Sequence, residues 1–180
     1  EIHIPELQKS IEIWSSALEA SGGPTFEELL WDGQDKSLIK EFIRLGMGGS
    51  KHTFPALGLS LLERIVKYLP NQLEKIGKYQ KILRQKFDEI LVGNSIILYP
   101  SHGCVAPRHK KSIYVPVRWA YTAILNVMEL PVTQVPLGLT ESGLPLGVQI
   151  VGGYNKDALT ISVAADIEQN KIGWIPPVLQ

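Results

Sequence analysis

Two short loops hold the side chains best suited to chemistry in this 180-residue chain. The first contains His102, Cys104 and His109. A thiol close to imidazoles suggests a base-activated nucleophile or a metal site. A His-x-Cys step with one more His five residues on does not match the spacing of a four-ligand zinc site, so no metal ligand is assigned. The second loop is Gly48-Gly49-Ser50-Lys51, where a hydroxyl and an amine are neighbours. Such a pair reacts only when the amine is kept neutral and within hydrogen-bond reach of the hydroxyl, and the plainer reading is a turn between two helices. Gly152-Gly153 has the look of a phosphate cradle but lacks both G-x-G-x-x-G and a following Gly-Lys-Ser/Thr, which leaves a tight turn. Glu141 and Glu168 are too separated in sequence to define a carboxylate dyad.

The elements that must position these loops follow from hydrophobic periodicity. Residues 1–92 read as mainly helical. Leu7, Ile11, Trp14 and Leu18 recur at helical spacing over Glu6 to Ala20, and Ser21-Gly22-Gly23-Pro24 ends that helix. Thr25 with Glu28 forms a capping-box pattern, and Asp35 or Ser37 caps a helix bearing Leu38, Phe42 and Leu45 on one face. Leu62, Ile65, Val66 and Leu69 make an apolar stripe, followed by a near-heptad of Leu73, Ile76, Leu83, Phe87 and Ile90. Those two helices fit burial against their own domain, a membrane-facing cap that includes Phe54 to Leu62, or a coiled-coil partner.

Residues 93–180 read as strand, helix, strand, strand, helix. The continuous run Ile96-Ile97-Leu98 is that of a strand buried on both faces. Pro116 opens a helix on which Trp119, Ala120, Ala123, Ile124 and Val127 share a face, and Pro131 closes it. Thr133 to Leu139 and Leu146 to Val151 are strands joined through Glu141-Ser142-Gly143, with Pro136 demanding an edge or bulge. Asn155 or Asp157 caps a last helix whose Leu159, Val163 and Ile167 face inward.

Equal numbers of basic and acidic residues, 18 each, give no general attraction to nucleic acid. The lone Cys104 cannot form an internal disulfide and suggests a reducing, intracellular setting. No apolar run approaches the roughly 20 residues of a membrane span. With neither an initiator Met nor a signal-peptide pattern, Glu1 is expected to be internal to a longer product.

Taken in order, Asn126-Val127-Met128-Glu129-Leu130-Pro131, Val135-Pro136-Leu137-Gly138-Leu139 and Gly143-Leu144-Pro145-Leu146-Gly147-Val148-Gln149-Ile150-Val151-Gly152 resemble the C-terminal end of an amidase-signature enzyme. The strand Ile97-Leu98-Tyr99-Pro100-Ser101 and the helix Ala158 to Glu168 agree with that family. The segment Lys51 to Gly58 and the loop Ser101 to Pro107 look most like its fatty-acid amide hydrolase branch. The resemblance implies an α/β fold, a mixed sheet covered by helices, with residues 1–180 forming part of one amidase domain. It also implies a Ser-Ser-Lys hydrolase of fatty-acid amides that uses no metal or organic cofactor. The Gly-Ser-rich catalytic loop is not found here, so the resemblance places all catalytic residues upstream on the same polypeptide and none in this chain. The parent would be intracellular and associated with a membrane surface. Trp119, on the helix before the Asn-x-x-x-x-Pro turn, is the substrate-channel candidate, with a plain core residue as the alternative. Two other readings stay open: a non-catalytic lipid-binding or membrane-docking module, and the end of another family member such as a transamidase component that works on charged transfer RNA.

Overall fold

The computed structural model describes residues 2–32, 34, 37–67, 70–109, 111, 118–170 and 173–176. The elements are α1 (Ser10–Ala20), α2 (Phe26–Leu30), α3 (Leu38–Gly46), α4 (Phe54–Lys67), α5 (Pro70–Ile90), β1 (Ile96–Tyr99), α6 (Ala120–Val127), β2 (Val132–Leu139), β3 (Pro145–Gly152) and α7 (Asp157–Asn170). The order is helical first and mixed second, as the periodicity predicts. Two compact units result: Ser15–Gly77, and a second unit made of Glu1–Trp14 with Lys78–Gln180.

In the helical unit, α2 begins with the predicted capping box: the Glu28 amide donates to Thr25 Oγ1 at 3.1 Å, and the Thr25 amide donates to Glu28 Oε2 at 2.7 Å. The next two amides of α2, those of Phe26 and Glu27, donate to the Glu63 carboxylate of α4. Glu27 in turn accepts from the Arg64 guanidinium and from Trp31 Nε1, and these bonds hold its carboxyl below the usual range. Those reciprocal contacts tie α2 to α4. Ser37 caps α3 through the Lys40 amide, whereas the alternative cap Asp35 lies outside the described residues. Trp31, Leu38 and Leu57 form the buried centre of this unit, with Leu30, Phe42 and Leu45 against it. The side chains of Leu62, Ile65, Val66 and Leu73, and all of Leu69, lie outside what is described.

Among the described residues the mixed unit is built on a three-stranded sheet of order β1-β3-β2 with antiparallel pairing throughout. The β2–β3 hairpin turns where expected, with Gly143 at φ +76 and the Thr140 amide bonded to the Leu144 carbonyl at 2.8 Å. Pro136 sits on an edge strand, and the register slips between Pro136 and Leu139, so its missing donor breaks no ladder on the outer side. Helix α6 ends with Glu129 at φ +53, the Leu130 amide reaching back to the Leu125 carbonyl at 3.2 Å. The next carbonyl, Pro131, accepts from the Gly152 amide at 3.0 Å, which joins the helix exit to the end of β3. Helix α7 packs on β2 and β3, with Thr160 buried and Leu159, Val163 and Ile167 partly covered. Asp157 is its first residue, and Asn155 lies at φ +60 in the preceding turn.

Two expectations change. The single helix Glu6 to Ala20 starts instead as a 3-10 turn over Pro5–Lys9. Within α1, Ile13 is fully buried and Leu18, a member of the predicted stripe, is half exposed. Strand β1 is not buried on both faces: none of its residues is buried, and Leu98 is 58% exposed. The reason is topological, because β1 is an outer strand with β3 as its one partner among the described residues. Pro116, read as the first turn of the next helix, lies outside the described residues, and α6 as described begins at Ala120.

Sterics dictate glycine at position 152. A Cβ there would lie 2.7 Å from Thr160 Cγ2 and 3.4 Å from the Lys156 carbonyl oxygen. Thr160 cannot swing away cheaply, since its hydroxyl donates to the Asp157 carbonyl and accepts from Thr133 Oγ1, both at 2.9 Å. Gly152→Ala is therefore expected to destabilise the chain by about 1–3 kcal/mol. The change would be read as a lower urea midpoint at unchanged slope, and an unchanged midpoint would show that α7 yields freely.

Candidate functional site

Each strand of the sheet contributes one polar residue to the same row. The register sets Tyr99 of β1 opposite Gln149 of β3, and Gln149 opposite Gln134 of β2. Directly paired residues share a face. Thr133 and Ile150 point to the other face, where Thr133 bonds α7, so the Tyr99–Gln149–Gln134 row lies on the side away from α7. Gln134 can lie across β3 only because residue 147 is glycine: a Cβ there would stand 2.9 Å from the Val135 carbonyl oxygen and would overlap the Gln134 amide. Across that gap Ser101 Oγ donates to Gln134 Oε1, which tethers the loop after β1 to β2.

Beyond Ser101 the loop folds tightly. His102 Nδ1 lies 2.9 Å from the Cys104 carbonyl oxygen and 3.6 Å from Cys104 Sγ, and both side chains are exposed. Gly103 between them passes against the Tyr121 ring, which a Cβ would meet at 3.5 Å. The Tyr121 ring packs against Tyr99 with centroids 5.8 Å apart. Burial, with a smaller contribution from Tyr121, pushes the Tyr99 phenol up to about 12, so it stays a neutral donor across the physiological range. Gln149 Oε1 is buried and has no hydrogen-bond partner among the described residues. An unpaired buried acceptor costs on the order of 1–3 kcal/mol, which marks this row as the polar focus of the unit.

Trp119 sits one residue ahead of α6, where its carbonyl accepts from the Thr122 and Ala123 amides and from Thr122 Oγ1. Its indole meets Trp14 edge-on, centroids 4.6 Å apart at 70°, and retains 37% of its surface. The pair presents a large apolar surface that is partly open to solvent. The sequence singles out Trp119 but not its partner. Trp14 carries only the signal of a helical stripe, and nothing local links it to a residue more than a hundred positions away. Tyr99 and Gln149 are legible as strand residues, and the antiparallel register adds their juxtaposition.

Ser50 lies in the helical unit, between α3 and α4, in the turn that its Gly-rich surroundings predict. Its hydroxyl donates to Oε1 of the buried Glu41 at 2.8 Å and accepts from the His52 amide at 3.0 Å. The His52 and Trp31 rings form a T-shaped pair, centroids 4.9 Å apart. A hydroxyl bonded directly to a carboxylate and to a backbone amide serves as a turn fastener. Gly152 and Gly153 are packed, against Thr160 and the Leu91 carbonyl, and form no open cradle. Among the described residues no three His, Cys, Asp or Glu side chains are grouped as a metal site would need.

Residues 51–161 match the family model described as Amidase. The chain belongs to the amidase family. It is 38% identical over 182 aligned residues to fatty-acid amide hydrolase 2-B of Danio rerio, an alignment that covers 98% of this chain and 34% of the relative. Fatty-acid amide hydrolase 2 of Homo sapiens is 36% identical with the same coverage. The glutamyl-tRNA(Gln) amidotransferase A-type polypeptide of Lachnoclostridium phytofermentans is 28% identical over 62% of this chain. The solved structure of its Thermotoga maritima counterpart superposes with a TM-score of 0.60 at 22% identity, covering 94% of this chain and 34% of its own, which shows the α/β amidase fold. The chain thus spans about a third of the length of the fatty-acid amide hydrolases it matches.

If Ser50 is a turn fastener, treating the chain with a serine-directed fluorophosphonate should leave no adduct on Ser50 by peptide mass mapping. Stoichiometric labelling there would contradict the structural role.

Proposed function

We propose that this amidase segment is the C-terminal part of a serine hydrolase that cleaves fatty-acid amides. The observation that carries the reading is its 36–38% identity to fatty-acid amide hydrolase 2 along 98% of its length. Acyl transfer needs a nucleophile with a base in reach and donors aimed at the developing oxyanion. With Ser50 committed to Glu41, those groups fall to the remainder of a longer polypeptide, and this segment supplies sheet, covering helices and part of the acyl-chain wall. The likeness to the glutamyl-tRNA(Gln) amidotransferase supports a transamidase alternative at lower identity and over less of the chain.

In this reading Trp119 lines the alkyl channel, with the exposed part of its indole against the alkyl chain and Trp14 packed beside it. In the native polypeptide, Trp119→Ala should lower kcat/KM for long-chain amides by about tenfold, a loss of roughly 1.4 kcal/mol, and spare short ones. Equal losses on short and long substrates would assign Trp119 to packing alone.

A membrane-docking role has its own support in α3. Ile39, Ile43 and Met47 are all exposed, and their spacing places them on one helical row. Lys40, Arg44 and Lys51 are exposed close by in sequence, the combination that suits an anionic lipid surface. No described helix is long and apolar enough to cross a membrane. Ile43→Asp should reduce partitioning into phosphatidylserine-containing vesicles by about tenfold. Unchanged partitioning would remove this reading.

A further inference from the structure

Directly ahead of Trp119 the chain carries a cation that no anion answers. Arg118 is partly buried. Its Cδ lies 3.7 Å from where a Cβ on Gly103 would stand, and Tyr121 Cε2 lies 3.5 Å from the same point, so both side chains lie over a glycine that leaves them room. Arg44, Arg64 and Arg84 each meet a glutamate. Among the described residues Arg118 has neither an ion pair nor a side-chain hydrogen bond. The sequence around it supplies no counter-charge either: positions 90–128 hold Arg108, Lys110, Lys111 and Arg118 and no Asp or Glu, in a chain whose charges otherwise balance. A guanidinium drawn partly out of water calls for a partner, and its planar fork fits a carboxylate through two parallel hydrogen bonds. Next to this cation stands the partly open apolar surface of Trp119, backed by Trp14.

We infer that Arg118 is a specificity-determining residue: the anion subsite for an amphiphile that lays its alkyl chain on the Trp119 surface and turns a carboxylate to the guanidinium. An apolar surface with a single unanswered cation beside it is complementary to that class of ligand and to few others. The proposed reaction brings such a carboxylate from two sources. Hydrolysis of a fatty-acid amide consumes water and releases a fatty acid with the amine, and an amide whose amine part is an amino acid carries a carboxylate before cleavage. Neutral ligands gain nothing from Arg118, so it sorts ligands by charge where Trp119 sorts them by chain length. The inference rests on the reading of Trp119 as part of an alkyl channel, and its test reads binding separately from turnover.

The test compares the native polypeptide with its Arg118→Gln and Arg118→Lys variants for binding of oleate and of the uncharged oleyl alcohol by calorimetry at neutral pH. Arg118→Gln should lower the affinity for oleate relative to the alcohol by about tenfold, and Arg118→Lys, which keeps the charge and loses the fork, by less. The unsubstituted polypeptide gives a reading that needs no variant: added salt should weaken oleate binding more than alcohol binding. A charge preference that is the same in all three proteins, or that salt leaves unchanged, would overturn the inference. The ratio of kcat/KM for N-oleoylglycine over N-oleoylglycinamide identifies the source. A fall of that ratio in Arg118→Gln assigns the carboxylate to the amine part of the substrate, and an unchanged ratio with weakened oleate binding assigns it to the released acid. No turnover of either amide, with the oleate effect intact, would count against the hydrolase reading and leave the Arg118 subsite standing.

Discussion

The sheet depends on how closely β3 lets its neighbours approach. It is the only strand paired on both sides among the described residues, and at two of its positions, Gly147 and Gly152, there is no room for a single methyl group. At Gly152 the constraint brings α7 down until Thr160 and Thr133 share a hydrogen bond, and the same residue's amide catches the carbonyl of Pro131 where α6 hands over to β2. At Gly147 it lets Gln134 reach across β3 to Ser101, which fixes the loop leaving β1. That loop then runs past Tyr121 at the start of α6, next to Trp119.

Much of this is legible in the sequence because it is local. Capping of α2 by Thr25 and Glu28, the cap at Ser37, the turn at Gly143 and the edge position of Pro136 each follow from a few neighbouring residues and from backbone chemistry that tertiary context leaves alone. Sequence and structure part where position in the sheet decides. The run Ile96-Ile97-Leu98 reads as an interior strand because apolarity reports how much surface a strand needs to bury, while the burial achieved depends on how many neighbours it has. In α1 the apolar spacing likewise leaves open which residues find neighbours: Ile13 is buried and Leu18 is half exposed. The candidate site is half legible: Trp119 can be singled out, but its contact with Trp14 and the row Tyr99–Gln149–Gln134 depend on long-range register.

Reactive residue types prove a poor guide to chemistry. Ser50, His52 and Glu41 lie close together and include the three functional groups of a hydrolase triad, yet the serine bonds the carboxylate directly and the imidazole packs on Trp31. A triad requires the imidazole between the other two. Residues that draw less notice, two glutamines and a tyrosine in a sheet, form instead the face with a buried, unpaired acceptor. Their arrangement suits a role in positioning other groups, which the proposed function, with its catalytic residues elsewhere on the polypeptide, asks of this segment.

That division of labour is most directly tested by measuring hydrolysis of a long-chain fatty-acid amide by the 180-residue chain and by the native polypeptide that contains it, side by side. The expected result is turnover by the native polypeptide and none by the chain alone. Turnover by the isolated chain, or an inactive native polypeptide, would contradict it.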